Sequence, residues 1–271
     1  MKYLLSNMES WLYSAVSKNL DNCRIEHLAA PEACFEEEQV HVIIGFHNVR
    51  NLTEIGQLCD VLRFFAKGKR IDRVSFLSSY GVYEPSRKPF VEISPMAPKN
   101  FVGLAAMMIE QTLIYLNGLT GLPADIIRMF NVYGPGQEAP YVVPLVLSQI
   151  VQHGRVFVGD SAKVRDFLYM TDFTDLFNKV IASENKTNVR IYNAGAGVPT
   201  AIHELLIKAQ EITAGECDVI FDATRLKSEY DYDYAVADIT KIKKELGWEP
   251  KISLEEGLAL TYQWILGRSG K

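Results

Sequence analysis

The chain has 271 residues, 48% of them hydrophobic and 23% charged, enough apolar material for one large globular domain or an α/β domain carrying a smaller lobe. Its formal net charge of −5 supplies no attraction for nucleic acid or an anionic membrane, so both are set aside as partners. The four cysteines (Cys23, Cys34, Cys59, Cys217) show neither CxxC spacing nor clustering with histidine; this argues against a zinc site or a disulfide framework and fits a reducing cytoplasm.

The opening MKYLLSN is too short for the apolar core of a secretory signal. No apolar run approaches the roughly 20 residues needed to cross a bilayer. Short apolar runs alternate with longer amphipathic stretches, the pattern of a parallel sheet flanked by helices. In chain order the predicted strands are Lys2–Ser6, Arg24–Leu28, Val40–Phe46, Val74–Ser78, Ala124–Phe130, Arg190–Asn193 and Asp218–Phe221. Runs such as VHVIIGF and RVSFL are nearly continuous, as expected of strands buried on both faces.

The predicted helices begin with Ser10–Leu20 and Asn51–Lys67, the second opened by a polar start with an acid three residues on. Lys99–Leu116 is apolar on several faces, so it is either buried or packed against another chain, and Asn117-Gly118 reads as its stop. After Gly134-Pro135-Gly136 the pattern becomes irregular, with helices over Tyr141–His153, Thr171–Ser183, Ala201–Thr213 and Glu255–Leu266. This change places residues 1–133 in one domain and most of residues 134–271 in a second lobe, with some later segments returning to the first.

Several phrases carry more information than periodicity. Ser78-Ser79-Tyr80-Gly81-Val82-Tyr83 follows a strand, and Arg128-Met-Phe-Asn131-Val-Tyr-Gly134-Pro-Gly-Gln137 follows the next major one. Arg165-Asp166-Phe-Leu-Tyr169-Met-Thr-Asp172, Tyr192-Asn193-Ala-Gly195, and Ala237-Asp238 before Leu246-Gly247-Trp248 complete the series. In this order and spacing they resemble the extended short-chain dehydrogenase/reductase family, specifically its nucleotide-sugar epimerases and dehydratases. The resemblance implies an α/β fold, a Rossmann-like doubly wound parallel sheet for NAD(P), with a smaller C-terminal α/β lobe for the nucleotide sugar. It also implies hydride transfer, assisted by a tyrosine whose pKa is lowered by a lysine four residues on and by a serine that orients the sugar hydroxyl.

Two parts of that pattern are broken. The family's GxxGxxG, which lets backbone approach the pyrophosphate, falls on Asn7, Ser10 and Tyr13. Asparagine tolerates the left-handed conformation, but Ser10 and Tyr13 place side chains where phosphate and strand should meet the helix. The residue that reads the adenosine ribose has only Glu32 as a counterpart, and this half of the sheet is short enough to have lost a strand–helix unit. The family's YxxxK falls on Val102 and Ala106, followed by Glu110, and neither valine nor alanine can hold or move a proton.

The nucleotide-sugar side is better kept. Ser79 occupies the hydroxyl-orienting position, although a serine at a strand end also serves local backbone. Tyr80 and Tyr83 are nearby phenols, with Tyr83 expected in the core. By resemblance, Asn131 hydrogen-bonds the sugar diphosphate, Arg165 grips it through a planar guanidinium, and Arg225 is a second, weaker phosphate contact. An ion pair of Arg165 with Asp166 or Asp172 is the competing reading. His27, His41, His47, His153 and His203 show no metal spacing, and Lys67-Gly-Lys69-Arg70 reads as a solvated turn.

Two expectations follow. One is a redox-inactive relative without a bound cofactor, binding a nucleotide diphosphate sugar or an active partner subunit in sugar-nucleotide or glycan biosynthesis. The other is an active NAD- or NADP-dependent epimerase, dehydratase or reductase with a non-standard catalytic site. In both, the resemblance implies a homodimer or heterodimer formed through the helices near 51–67 and 99–116.

Overall fold

Apolar strands stack in parallel at the centre of the protein, as the continuous runs predict. The computed structural model describes residues 2–6, 9–18, 20, 23–25, 40–45, 51–68, 71–138, 140–186, 188–213, 218–222 and 232–269. The main sheet comprises β1 (Lys2–Ser6), β2 (Cys23–Ile25), β3 (Val40–Ile44), β4 (Ile71–Ser79), β5 (Ala124–Met129) and β9 (Val189–Ala194). Their order is β2-β1-β3-β4-β5-β9, parallel throughout.

Successive side chains leave opposite faces of this sheet. Val42, Ile44, Phe76 and Ile126 pack under α2 (Leu52–Gly68) and α3 (Phe101–Thr120). Ile43, Leu77 and Ile127 pack under α1 (Ser10–Ser17), α5 (Met170–Ala182) and α7 (Thr240–Leu246). Helices on both faces and a reversal of strand order beside β1 make this the doubly wound arrangement. Among the described residues only β2 lies beyond β1 on its side of the reversal, so the cofactor half is short.

The second lobe centres on β8 (Val164–Tyr169), flanked by β10 (Pro199–Ala201), β12 (Tyr234–Ala235) and β6 (Asn131–Tyr133). A separate pair joins β7 (Arg155–Val158) to β11 (Asp218–Phe221). Around them α4 (Val142–His153), α6 (Ile202–Thr213) and α8 (Leu254–Ser269) enclose their own core with Val146, Leu147, Leu205 and Leu258.

Two features of the helices bear on the sequence reading. The Asn51–Glu54 start is as expected, with Glu54 N–H donating to Asn51 Oδ1 at 3.0 Å. Helix α3, however, runs through Asn117-Gly118 to Thr120, and the left-handed residue is Gly121, whose N–H bonds the Asn117 carbonyl. Asn117 itself turns back, donating to the Leu122 carbonyl at 2.8 Å, so it braces the following loop without stopping the helix. The second difference concerns span. At 20 residues α3 is long and apolar enough to cross a bilayer by length and composition, contrary to the expectation that no run is. One of its faces, with Ala105, Ala106, Ile109, Leu113 and Leu116, is buried in the protein core.

Candidate functional site

Strand β4 ends at Ser79, and a short 3-10 turn over Tyr80–Val82 carries the chain away from the sheet. The Ser79 hydroxyl accepts the Gly81 N–H at 3.0 Å, so in this structure it serves the local backbone, one of its two sequence readings. Helix α3 begins against this turn with its N-terminus capped by Asn100, whose Oδ1 accepts the Gly103 N–H at 2.9 Å. A Cβ on Gly103 would lie 1.9 Å from the Gly81 carbonyl oxygen. Backbone therefore touches backbone here, and Val102 is held beside the Ser79 turn. Val102 is half exposed and Ala106 is fully buried. The positions expected to hold the proton-transfer pair thus present only methyl groups.

Of the neighbouring tyrosines, Tyr83 has its hydroxyl committed elsewhere and Tyr80 packs through its ring. The Tyr83 hydroxyl donates to Asn193 Oδ1 at 2.6 Å, and burial pushes its pKa up to about 12 despite the nearby Arg128 guanidinium. Tyr80 stacks on Phe130 with ring centroids 5.3 Å apart. Tyr83 is in the core as expected. Behind the turn, Glu110 accepts from Ser78 and Arg128, and Arg128 also reaches the Glu92 carbonyl.

Asn131 opens β6, and its amide donates to the Asp166 carbonyl on β8 at 3.2 Å. Arg165 is mostly buried on β8, with Nη1 donating to the Val164 carbonyl at 2.8 Å. Asp166, its neighbour in sequence, points to the other face of the strand. Its carboxylate accepts three backbone N–H groups, from Ala196, Gly197 and Ala237, while burial lifts its pKa to about 6. Asp172 similarly accepts the Lys251 and Ile252 N–H groups.

The segment that joins these parts was missed by the sequence reading. Tyr232 places its hydroxyl 2.8 Å from the Gly81 carbonyl and 2.6 Å from the Tyr83 carbonyl, donating between them. Three residues later, Ala235 pairs with Arg165. An extended chain covers those three steps in about 10 Å, so the Ser79 turn and the Arg165 strand lie near one another. Arg225 and Asn7 lie outside the described residues, as do Glu32, His27, His47, Lys69 and Arg70.

After β1, the first turn of α1 holds Ser10 exposed and Tyr13 half-buried. Glu9, the residue preceding the helix, makes no side-chain cap. Its Oε2 accepts from the Trp11 indole N–H and its Oε1 from the Tyr141 hydroxyl, just before α4. A dinucleotide would bring its pyrophosphate to this helix end, at the reversal of strand order. The residues present do not fit that group as they stand, because a carboxylate is already there. The sequence signal for it was an acid at the start of a helix, but its partner is 132 positions away. Among the described residues no group of three or more histidine, cysteine, aspartate or glutamate side chains is placed to hold a metal.

Comparison with known proteins agrees with this architecture. The family model described as GDP-mannose 4,6 dehydratase matches residues 16–261. The chain is 26% identical over 264 residues to the protein named probable UDP-arabinose 4-epimerase 3 of Arabidopsis thaliana, covering 89% of this chain but only 62% of that protein. It is 25% identical over 271 residues to the UDP-glucose 4-epimerase of Bacillus subtilis, covering 87% and 78%. Among solved structures, the UDP-glucose 4-epimerase of Thermotoga maritima with UDP-glucose superposes with a TM-score of 0.83 at 23% identity, covering 99% of this chain and 100% of that one. The UDP-glucuronic acid 4-epimerase of Bacillus cereus, with UDP-glucuronic acid and NAD, gives 0.83 at 19% identity over 99% and 100%. At these identities the structures speak for the fold.

Proposed function

The chain belongs to the nucleotide-sugar epimerase and dehydratase group of the extended short-chain dehydrogenases/reductases, and on that premise we propose that it recognises a nucleotide diphosphate sugar in the crevice between its two lobes. The observation that carries this reading is the joining of the Ser79 turn, through Tyr232–Ala235, to the strand bearing Arg165 and its neighbour Asn131. Arg165 suits the diphosphate because a guanidinium offers paired donors to phosphate oxygens.

Of the two expectations about turnover, the relatives support the active enzyme over the redox-inactive one. They carry the names of UDP-sugar 4-epimerases and, in Bacillus cytotoxicus, of a UDP-N-acetyl-alpha-D-glucosaminuronate decarboxylase, and several similar structures hold NAD. The redox-inactive reading keeps one specific observation in its favour, the methyl groups of Val102 and Ala106 at the proton-transfer positions. An active form therefore takes its base from elsewhere in the crevice. Tyr83 is a poor substitute, being buried with its pKa raised.

Two measurements on the purified protein decide. Calorimetric titration with UDP-glucose and UDP-glucuronic acid reads binding, and absence of heat with both, in the folded protein, removes support for UDP-sugar recognition. Assay of the denatured supernatant for NAD(H) and NADP(H), with chromatography of the sugars after incubation, separates enzyme from binder. Pairing of two chains through α2 and α3, and residence in a reducing cytoplasm, complete the proposal. The first is supported by apolar residues exposed along α3, the second by the cysteine pattern.

A further inference from the structure

We propose that Glu9 is an internal anion that closes the dinucleotide crevice, so that a phosphate reaches the end of α1 only when the bond between Glu9 and Tyr141 opens. The proposal rests on the family reading only in taking the crevice beside β1 as the place a dinucleotide enters.

The geometry is that of a plug held from two sides. Each carboxylate oxygen of Glu9 has its own donor, the indole N–H of Trp11 within α1 and the phenol of Tyr141 on the second lobe. The donors are themselves fixed. Trp11 is buried, and its Cβ lies 3.1 Å from where a Cβ on Gly136 would be, so the Gly134–Gly136 loop closes over it. Gly136 has φ +90, a conformation that side chains disfavour, and the close contact adds a second reason for glycine there. The Trp11 and Tyr141 rings meet edge to face with centroids 6.3 Å apart. Burial and the Glu9 carboxylate both push the Tyr141 phenol up, so it stays protonated and able to donate.

The electrostatics follow from place. A helix N-terminus favours negative charge, and Glu9, which precedes α1 without capping its amides, sets a carboxylate beside that end. An incoming pyrophosphate faces a like charge at close range and must displace two charge-assisted hydrogen bonds before it reaches the helix amides. The loss of the glycines at Ser10 and Tyr13 accompanies this replacement, since a site filled from within has no need of bare backbone. Because the plug is held by Tyr141, its release also removes one tie between α1 and the start of α4.

The test is calorimetric titration of NAD+ into the full chain and into Glu9→Gln and Tyr141→Phe, with thermal melts as a check on folding. Glutamine keeps the shape and can bond both partners, but it carries no charge. The expected result is at least tenfold tighter NAD+ binding by Glu9→Gln and a smaller gain by Tyr141→Phe, which loosens the plug without discharging it. Equal affinity in native protein and folded Glu9→Gln, or no binding by either, overturns the proposal. Should Glu9→Gln fail to fold, an unchanged NAD+ affinity in Tyr141→Phe overturns it. A parallel titration with UDP-glucose keeps the outcomes apart, since loss of that binding counts against nucleotide-sugar recognition and leaves the NAD+ comparison intact.

Discussion

Glu110 and Arg128 meet through two nitrogens, Nη2 at 2.6 Å and Nε at 3.0 Å, with both side chains sealed from solvent. The pair ties α3 to the end of β5, directly behind the turn that carries Ser79. Ser78 donates to the same carboxylate at 2.6 Å, and the Arg128 guanidinium lies over the Tyr83 ring, 4.7 Å from its centroid. The glutamate that followed the missing tyrosine–lysine pair in the sequence is therefore a structural anchor.

Removing either partner leaves a charge buried alone. Glu110→Ala and Arg128→Ala are each expected to lower stability by about 3–5 kcal/mol, whereas replacing both with apolar residues of similar volume costs much less. Urea denaturation of the singles and of Glu110→Leu/Arg128→Met reads the difference. A double variant as unstable as the sum of the singles would show the two residues acting independently.

The docking of α3 gives a sharper comparison between two glycines on one helix. Gly103 leaves no room, because a Cβ would enter the Gly81 carbonyl, and Gly103→Ala is expected to cost about 3 kcal/mol. Gly118 is exposed and a Cβ there meets nothing within 4 Å, so Gly118→Ala is expected to add ~0.5–1 kcal/mol. Thermal melts should move in opposite directions.

His41 sets a pH dependence. It is buried in β3 with Nε2 at 2.9 Å from Ser75 Oγ, while Nδ1 is buried without a hydrogen bond. Burial, aided by the Arg73 charge, lowers its pKa from 6.5 to about 3. Between those values the unfolded chain binds a proton that the folded chain refuses, so this residue makes stability rise with pH across that window. The stability difference between native protein and His41→Leu should therefore change by about 1.4 kcal/mol per pH unit between pH 6 and 4. A pH-independent difference would contradict the shift. Asp166 acts in the opposite sense, since its raised pKa lets the folded state keep a proton up to about 6 and stability from this group falls as pH rises from 3.8.

Along α3, Leu104, Met108, Tyr115 and Leu119 remain exposed at helical spacing. If this stripe pairs two chains, Leu104→Asp/Tyr115→Asp is expected to shift the protein to monomer in sedimentation velocity while leaving the fold intact. A native protein that is already monomeric at tens of micromolar sinks the pairing.

The main-sheet strands were legible because strands covered on both faces are continuously apolar, and β1 and β5 lie where those runs lie. Strand β4 starts earlier than its apolar run, at Ile71, because Arg73 is carried inside the sheet by a buried ion pair with Asp125. A hydropathy reading stops at such a charge. The two- and three-residue strands β6, β10 and β12 carry no period of their own and exist only by pairing with β8. In the candidate site the substitutions at Val102 and Ala106 were visible as residue types, and so were Asn131 and Arg165. The roles of Glu9 and Tyr232 were not, because each has a partner more than a hundred positions away.

That distance has a consequence for synthesis. The Tyr232 hydroxyl closes on the Gly81 and Tyr83 carbonyls across 151 and 149 positions. While the ribosome is still making the second lobe, the first-lobe strands β1 to β5 have already emerged, but the turn after β4 lacks the hydroxyl that fixes its carbonyls. The turn after β4 is therefore completed only once residue 232 has left the exit tunnel. A nascent chain halted before residue 232 carries most of a sheet and none of a completed site.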